Sequence, residues 1–393
     1  MNKNKIIIIG GAGHVGAPLG IALSNKGYEV TLLDINTKFI KMINNGQMPF
    51  IEEKCESLLK KSLKRKKIFA TNNFEEIKKN KFVIVTIGTN IKKNFNPEIE
   101  KLLNFFKFLK KRIQKEQSII IRSSIFPSTF DKIYKIIKSK CNNLTYCPER
   151  IAQGKSIVEL PKISQIIAGS SKKEIIKISQ IFKKISKKII IVNPLEAELI
   201  KLFSNTFRYI NFSIGNQFYT MCEKMNINYE KLRLKMMDCY PRNKNLPKSG
   251  FTSGPCLLKD TMQLSSFFRH KEKLLNEAKN INENLPKFIF NKLKRQYNLK
   301  NKTIGILGLS FKPENDDIRD SLSIKLLNLF KKNKFTVLSS DEYYKDETTI
   351  NRDILLKKAD IIIIATPHKV YKKIRLKNKN KIIIDLWKAL NDK

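Results

Sequence analysis

The sequence predicts an α/β fold in which two doubly wound, parallel-sheet domains are joined by a central helical domain built around one long helix. Three observations carry that reading. Short runs rich in isoleucine and valine alternate with polar helical stretches up to Pro194. From Leu195 the alternation gives way to amphipathic helical periodicity, interrupted by the Pro- and Gly-bearing loop at 240–256. Near Thr303 the strand–helix rhythm resumes. Such alternation is what a parallel sheet requires, because each parallel neighbour needs a crossover connection. Three domains are therefore expected, at residues 1–194, 195–298 and 299–393.

The first strand is the isoleucine run Ile6–Ile9. Continuous apolar sequence, without polar alternation, suits a strand covered on both faces. It leads into GGAGHVG, where Gly11, Gly13 and Gly16 make a G-x-G-x-x-G spacing that encloses His14 and Val15. A helix and a second strand follow, closed by Asp34, 21 residues after Gly13. Each part has a physical task. The glycines permit a tight turn and close backbone approach, the helix N-terminus receives a pyrophosphate, and the acid binds a ribose hydroxyl. The unit is thus expected to bind a dinucleotide, and Asp34 would repel a 2′-phosphate, favouring NAD over NADP. Further strands are expected in 81–89, 118–124 and 188–194. One long helix is expected from Leu195 to about Asn226, with Leu199, Leu202, Phe203 and Phe207 at helical spacing. The second α/β unit has strands in 302–311, 335–343, 359–368 and 381–387 and a helix around 321–333. It lacks the full glycine motif and need not bind a dinucleotide.

Composition excludes several classes. The chain has 393 residues, 77 Lys plus Arg against 35 Asp plus Glu, and a formal charge of +42. Clustered cations would suggest nucleic acid, by counterion release. Here lysine is spread over nearly every segment, with no compact basic domain, zinc-finger spacing or RNA-binding aromatic motif. A compositional bias that makes lysine the default surface residue explains the charge, so no nucleic-acid partner is expected. Six cysteines show neither metal-type pairs nor a disulfide frame, so no metal is expected and a reducing compartment fits. No apolar run approaches the ~18 residues of a membrane helix, and the apolar start is too short for a signal peptide. A cytoplasmic protein without membrane partners is expected.

Four further stretches bear chemistry. In SGPCLLKD, Cys256 stands ahead of a helix, where the macrodipole favours thiolate, with Lys259 and Asp260 in the first turn. Taken alone, this stretch reads equally as an activated nucleophile or as a buried, inert cysteine. Lys201 and Asn205 are i,i+4 neighbours able to donate together to an oxyanion, or else ordinary members of a solvated face. Glu149 in YCPERIAQGK is either a general acid/base or the partner of Arg150. Lys312 and Arg319 in LSFKPENDDIRDS follow a strand and could grip phosphate.

Taken together and in this order, the G-x-G-x-x-G at 11–16, RSSIFPST (122–129), YCPERIAQGK (146–155), KLFSNTFRYI (201–210), GPCLLKDT (254–261) and GLSFKPENDDIRDS (308–321) resemble the UDP-glucose/GDP-mannose dehydrogenase family over essentially the whole chain. The resemblance implies an NAD-dependent, four-electron oxidation of a nucleotide-sugar C6 alcohol to a uronic acid for surface polysaccharide. It implies that Cys256 captures the aldehyde as a thiohemiacetal, which becomes a thioester. Lys201 and Asn205 would stabilise oxyanions, Asp260 would position water, and Glu149 would serve thioester hydrolysis, with Ser124 at the position of a family threonine. Cofactor residues would be Gly11, Gly13, His14, Val15, Gly16, Asp34, Thr89, Ser124, Lys259 and Arg319. Substrate ligands would include Glu149, Arg150, Lys201 and Asn205, then Gly250, Phe251, Ser253, Phe311 and Lys312. Arg242 resembles an arginine contributed across a dimer interface, and a homodimer or larger assembly is implied.

Departures from the family pattern are Asn90 in place of proline, Phe39 where a basic residue is common, and Trp387-Lys388 where an arginine is common. The NTFRYI stretch with Arg208 looks like enzymes acting on UDP-N-acetylhexosamines, whereas CLLKD with Lys259 looks like those acting on UDP-glucose or GDP-mannose. The rival readings are a two-electron β-hydroxyacid dehydrogenase and a basic nucleic-acid-binding protein.

Overall fold

The structure, a computed structural model, describes residues 4–89, 91–92, 96–374 and 381–390. Asn90 lies outside the described residues. The chain forms two compact units, Met1–Ser204 and Asn205–Lys393.

In the first unit the strands are β1 (Lys5–Ile9), β2 (Glu29–Leu33), β3 (Ile68–Thr71), β4 (Phe82–Val85), β5 (Ser118–Ile121), β6 (Leu144–Tyr146), β7 (Ser164–Gly169) and β8 (Lys188–Ile191). Its helices are α1 (Gly16–Asn25), α2 (Thr37–Asn44), α3 (Cys55–Lys64), α4 (Ile99–Lys110), α5 (Thr129–Ile137), α6 (Ser156–Glu159) and α7 (Lys172–Phe182). The sheet order is β3-β2-β1-β4-β5-β6-β7-β8. Strand order reverses between β1 and β4, which opens a crevice at the carboxyl ends of those strands, next to the glycine turn. The isoleucine run explains itself here. Ile6 and Ile8 enter one hydrophobic cluster, Ile7 and Ile9 the other, so both faces of β1 are covered.

The expectation of a parallel sheet needs one correction: β6 and β7 pair antiparallel. Between them lies only the four-residue helix α6. Without a crossover helix to carry the chain back along the sheet, it re-enters from the end at which it left.

Helix α8 (Pro194–Lys224) starts in the first unit and continues into the second. Its opening proline suits a first-turn position, where the missing N–H is no loss. Leu202 is buried, but Phe203 and Phe207 are 51% and 68% exposed, so the apolar periodicity covers more of the helix than this chain buries. The second unit continues with α9 (Tyr229–Met237), α10 (Leu257–Phe267) and α11 (Lys273–Gln296). The α/β part follows as β9 (Ile304–Leu307), α12 (Leu322–Lys332), β10 (Val337–Ser340), α13 (Arg352–Lys358), β11 (Ile361–Ile364) and β12 (Ile382–Asp385). These strands form an all-parallel sheet in the order β10-β9-β11-β12. Among the described residues no helix is long and apolar enough to cross a membrane.

Candidate active site

The glycine turn between β1 and α1 is built for close approach. A Cβ on Gly11 would lie 2.6 Å from the Ile8 carbonyl oxygen, and one on Gly16 would overlap the Gly10 carbonyl. A Cβ on Gly13 would meet nothing nearer than 3.4 Å, so that side of the turn is open to a ligand. Val15 is the residue preceding the first turn of α1. Asp34 follows β2, and its Oδ2 accepts the Ala12 N–H at 2.9 Å while Oδ1 accepts the Asn36 N–H at 3.0 Å. A carboxylate has about four lone-pair positions, so Asp34 keeps acceptor capacity for ribose hydroxyls. The open glycine face and the acid beside it fit the adenosine half of a dinucleotide.

His14, Thr89 and Ser124 belong to the same unit, whereas Lys259 and Arg319 belong to the second. The His14 ring packs on Phe50 at a tilt of 39° with centroids 3.9 Å apart, and Gln153 Nε2 lies 3.1 Å from His14 Nδ1. This ties the glycine turn to the AQGK loop. Thr89 Oγ1 donates to the Ser124 carbonyl at 2.6 Å, which brings those two predicted residues together.

Glu149 has a partner that spacing did not reveal. Its Oε2 meets the Arg122 guanidinium at 2.5 Å, and its Oε1 accepts the N–H groups of Arg150 and Ile151. The Arg150 guanidinium itself donates to the Ser164 carbonyl, and burial lowers its basicity while the charge of Glu149 works against that. Arg122 is 1% exposed and also donates to Cys147 O and Gln165 Oε1. An arginine directly after an isoleucine strand is itself a signal, since a cation there must find buried partners.

Lys201 and Asn205 sit one turn apart on α8, each 8% exposed. A solvated face is therefore excluded for this pair. Asn205 Nδ2 donates to Asp260 Oδ2 at 2.5 Å, and Asp260 is fully buried. Lys259 Nζ lies 3.5 Å from Asp260 Oδ1. Asp260 stands one turn after Cys256, which occupies the N-cap of α10.

Exposure separates the cysteines. Cys55, Cys141, Cys147 and Cys222 are buried, and burial pushes their thiols up, Cys147 to about 12. Cys256 is exposed, as is Cys239. A buried cysteine at 256 is thereby excluded, and its place is the N-cap of α10.

The loop before α10 is anchored within its own unit. Gly254 has φ +103, and a Cβ there would overlap the Phe311 ring. Phe311 thus packs on the backbone leading to Cys256, joining two motifs far apart in sequence. Gly250 has φ +150, and a Cβ there would overlap the Trp387 indole. The Gly250 N–H donates to Asn216 Oδ1, and Ser253 Oγ accepts the Leu322 N–H. Phe251 is buried in the core between the helices and the second sheet, so a ligand would meet its backbone rather than its ring. Lys312 Nζ lies 5.7 Å from the Phe311 ring centroid. The Arg319 guanidinium is forked onto Asp317, and that hydrogen bond, with smaller help from Cys256 and Asp320, holds its basicity up. Arg242 is exposed and touches Tyr240. Among the described residues, no three His, Cys, Asp or Glu side chains are grouped to hold a metal ion.

The chain matches known proteins over nearly its whole length. The UDP-glucose/GDP-mannose dehydrogenase family matches in three consecutive segments: its NAD binding domain over residues 4–187, its central domain over 195–284 and its UDP binding domain over 305–392. UDP-N-acetyl-D-mannosamine dehydrogenase of Pyrococcus horikoshii is 29% identical over 400 residues, covering 96% of this chain and 94% of that protein. UDP-glucose 6-dehydrogenase of Rickettsia bellii is 26% identical, covering 97% and 94%. The solved structure of the UDP-D-ManNAc dehydrogenase from Pyrococcus horikoshii superimposes with a TM-score of 0.89 at 27% identity, covering 99% of this chain and 96% of that one. With the dinucleotide turn, the exposed cysteine and three matching domains, the chain belongs to the UDP-glucose/GDP-mannose dehydrogenase family and is an NAD-dependent nucleotide-sugar dehydrogenase.

Proposed function

We propose that this enzyme oxidises the C6 hydroxyl of a UDP-N-acetylhexosamine, UDP-N-acetylmannosamine first among them, to the carboxylate through a thioester on Cys256. The carrying observation is an exposed cysteine at the start of α10, one turn ahead of a fully buried aspartate held by Asn205. The P. horikoshii relative and the NTFRYI stretch support the N-acetylmannosamine sugar; the R. bellii relative and CLLKD support UDP-glucose as the second reading.

Bound NAD⁺ supplies the hydride acceptor, once for alcohol to aldehyde and once more for the second oxidation. The remaining work belongs to side chains. The Cys256 sulfur adds to the C6 aldehyde and forms a C–S bond, while the carbonyl oxygen becomes an oxyanion that Lys201 and Asn205 stabilise. Loss of hydride from that carbon leaves a thioester. Water positioned by Asp260, with Glu149 serving hydrolysis, then attacks the carbonyl, and the C–S bond breaks to return the thiol. The sum is one alcohol, one water and two NAD⁺ giving one carboxylate, two NADH and three protons. Covalent capture keeps a reactive aldehyde in place while the cofactor exchanges.

Gly11, Gly13, His14, Val15, Gly16, Asp34, Thr89, Ser124, Lys259 and Arg319 take the cofactor side. Glu149, Arg150, Lys201, Asn205, Arg242, Gly250, Phe251, Ser253, Phe311 and Lys312 take the sugar-nucleotide side. The functional partition is 1–194 for NAD, 195–298 for the central helices and 299–393 for UDP. The exposed Phe203, Phe207 and Met221 on α8, with Met225 just beyond its end, support a homodimer through that helix. The product serves surface polysaccharide, and the six free cysteines suit the reducing cytoplasm.

A panel of UDP- and GDP-sugars assayed for NADH formation tests this reading. UDP-N-acetylmannosamine is expected to give the highest kcat/KM; preference for UDP-glucose selects the second reading, and turnover of only simple β-hydroxyacids removes both.

A further inference from the structure

A buried polar cluster in the second sheet is unused by the chemistry above. It lies at the carboxyl ends of β9, β10 and β11, where the strand order reverses between β9 and β11. Ligand crevices in open α/β sheets form at such reversals. Asp341 follows β10, His368 follows β11, and both side chains are fully buried.

Asp341 Oδ2 accepts the N–H groups of Leu309 and Ser310, at 2.6 and 3.1 Å, and lies 3.2 Å from His368 Nε2. Its Oδ1 accepts the N–H groups of Tyr343 and Tyr344. Burial pushes this carboxyl up, but His368 and the amides outweigh it and hold the group well below the usual carboxylate range. On the far side of the imidazole, Nδ1 accepts the Glu314 N–H at 3.0 Å. A ring nitrogen that accepts an N–H carries no proton, so the hydrogen bonds assign the ring proton to Nε2, facing Asp341.

His368 therefore bridges the turn after β9 and the backbone at Glu314, and Lys312 lies between those two points. The Lys312 carbonyl accepts Ser310 Oγ at 3.0 Å, and the Ser310 carbonyl accepts Thr366 Oγ1 at 2.6 Å. The Glu314 carboxylate is held by the Lys369 N–H and the Tyr343 hydroxyl, and its Oε1 lies 3.8 Å from His368 Nδ1. Tyr343 and Tyr371 pack their rings against the imidazole, 5.0 and 5.3 Å between centroids. Glu314 has φ +55, a left-handed conformation that a non-glycine residue keeps only when its surroundings hold it.

We propose that His368 is a positioning residue for the nucleotide sugar: by bridging Asp341 and Glu314 it fixes the 310–314 loop and with it Lys312. The proposal rests on Lys312 being a ligand of the UDP moiety. Four variants and one probe separate the two ideas, with UDP binding measured by calorimetry and KM and kcat measured on the UDP-sugar.

His368→Gln keeps both bonds in kind, since its carbonyl can accept from Glu314 and its amide can donate to Asp341; UDP affinity within about twofold of wild type is expected. His368→Phe keeps a planar ring but neither bond, and UDP Kd and sugar KM are expected to rise about tenfold, with kcat and NAD affinity little changed. Glu314→Ala loosens the loop from its partly exposed side, so it can be read even if the phenylalanine variant fails to fold, and it should shift UDP binding the same way. Lys312→Ala should weaken UDP by a similar factor. Weakening by Lys312→Ala with no change in His368→Phe and Glu314→Ala overturns the positioning role. An unchanged UDP affinity in Lys312→Ala overturns the ligand assignment beneath it. Equal losses of UDP affinity, NAD affinity and kcat in His368→Phe mark general damage and also overturn the proposal.

Discussion

Removing the Glu149 carboxylate is expected to cost stability before it costs chemistry. In Glu149→Ala the Arg122 guanidinium, 1% exposed, loses the oxygen 2.5 Å away. Breaking a buried ion pair from one side costs about 3–5 kcal/mol, because the remaining charge stays desolvated. Two acceptors remain on Arg122, Cys147 O at 3.1 Å and Gln165 Oε1 at 2.8 Å, and the Glu149 side chain is 16% exposed. The lower end, about 3 kcal/mol, is therefore appropriate. For a domain of this size each kcal/mol moves the melting temperature by about 2–4 °C, so a drop of roughly 6–12 °C is expected by calorimetry. Glu149→Gln retains oxygen acceptance and should lose less than half of that. Exchanging the pair for apolar residues in Arg122→Met/Glu149→Leu should recover much of the loss, since well-packed replacements of buried ion pairs are often neutral. A Glu149→Ala enzyme melting within about 2 °C of wild type would refute the reasoning.

Three further outcomes follow from the same geometry. Gly250→Ala places a methyl group into the Trp387 indole, which is tied by its Nε1 to the Ala365 carbonyl at 2.7 Å; overpacking of about 1–3 kcal/mol should raise the sugar KM about tenfold with NAD binding unchanged, and an unaltered KM would contradict this. Lys201→Ala should lower kcat by about two to three powers of ten while NAD affinity holds, and an effect confined to NAD affinity would reassign the residue. Burial pushes Glu198 up to about 7, although the N–H groups of Phe130, Ser128 and Thr129 favour its charged form. The folded state then binds this proton more tightly than the unfolded one, so stability is greatest below the ordinary carboxylate value and falls as pH rises through 7, by about 2–3 kcal/mol between pH 5 and 8. Denaturant titrations of Glu198→Gln should lack that fall; an identical slope in wild type and variant would count against it.

What could be read in advance was local. The isoleucine run, the glycine spacing and Asp34 lie within one βαβ segment, and each has a short-range physical requirement. Strands β3 and β7 escaped notice because β3 is short and carries the half-exposed Phe69, while β7 opens with the polar pair Ser164-Gln165. Gln165 is in fact buried, as the acceptor for Arg122, and a polar residue inside a sheet disguises its strand. The candidate residues were legible as motifs, but their partners were not. Glu149 pairs 27 positions back, Asn205 meets Asp260 55 positions on, and Glu314 meets His368 54 positions on. Tertiary packing selects such pairs, so residue spacing carries no trace of them. Nor does helical periodicity distinguish a face covered by its own chain from one left open, as Phe203 and Phe207 show.

The central claim, covalent oxidation through Cys256, is tested most directly by counting NADH and free uronate per UDP-sugar consumed in quenched single turnovers. Wild type should give two NADH and one uronate, and Cys256→Ser should bind both ligands yet release no uronate, because an oxygen ester resists the hydrolysis that a thioester undergoes. One NADH per sugar in wild type, or uronate released by Cys256→Ser at the wild-type rate, would contradict it.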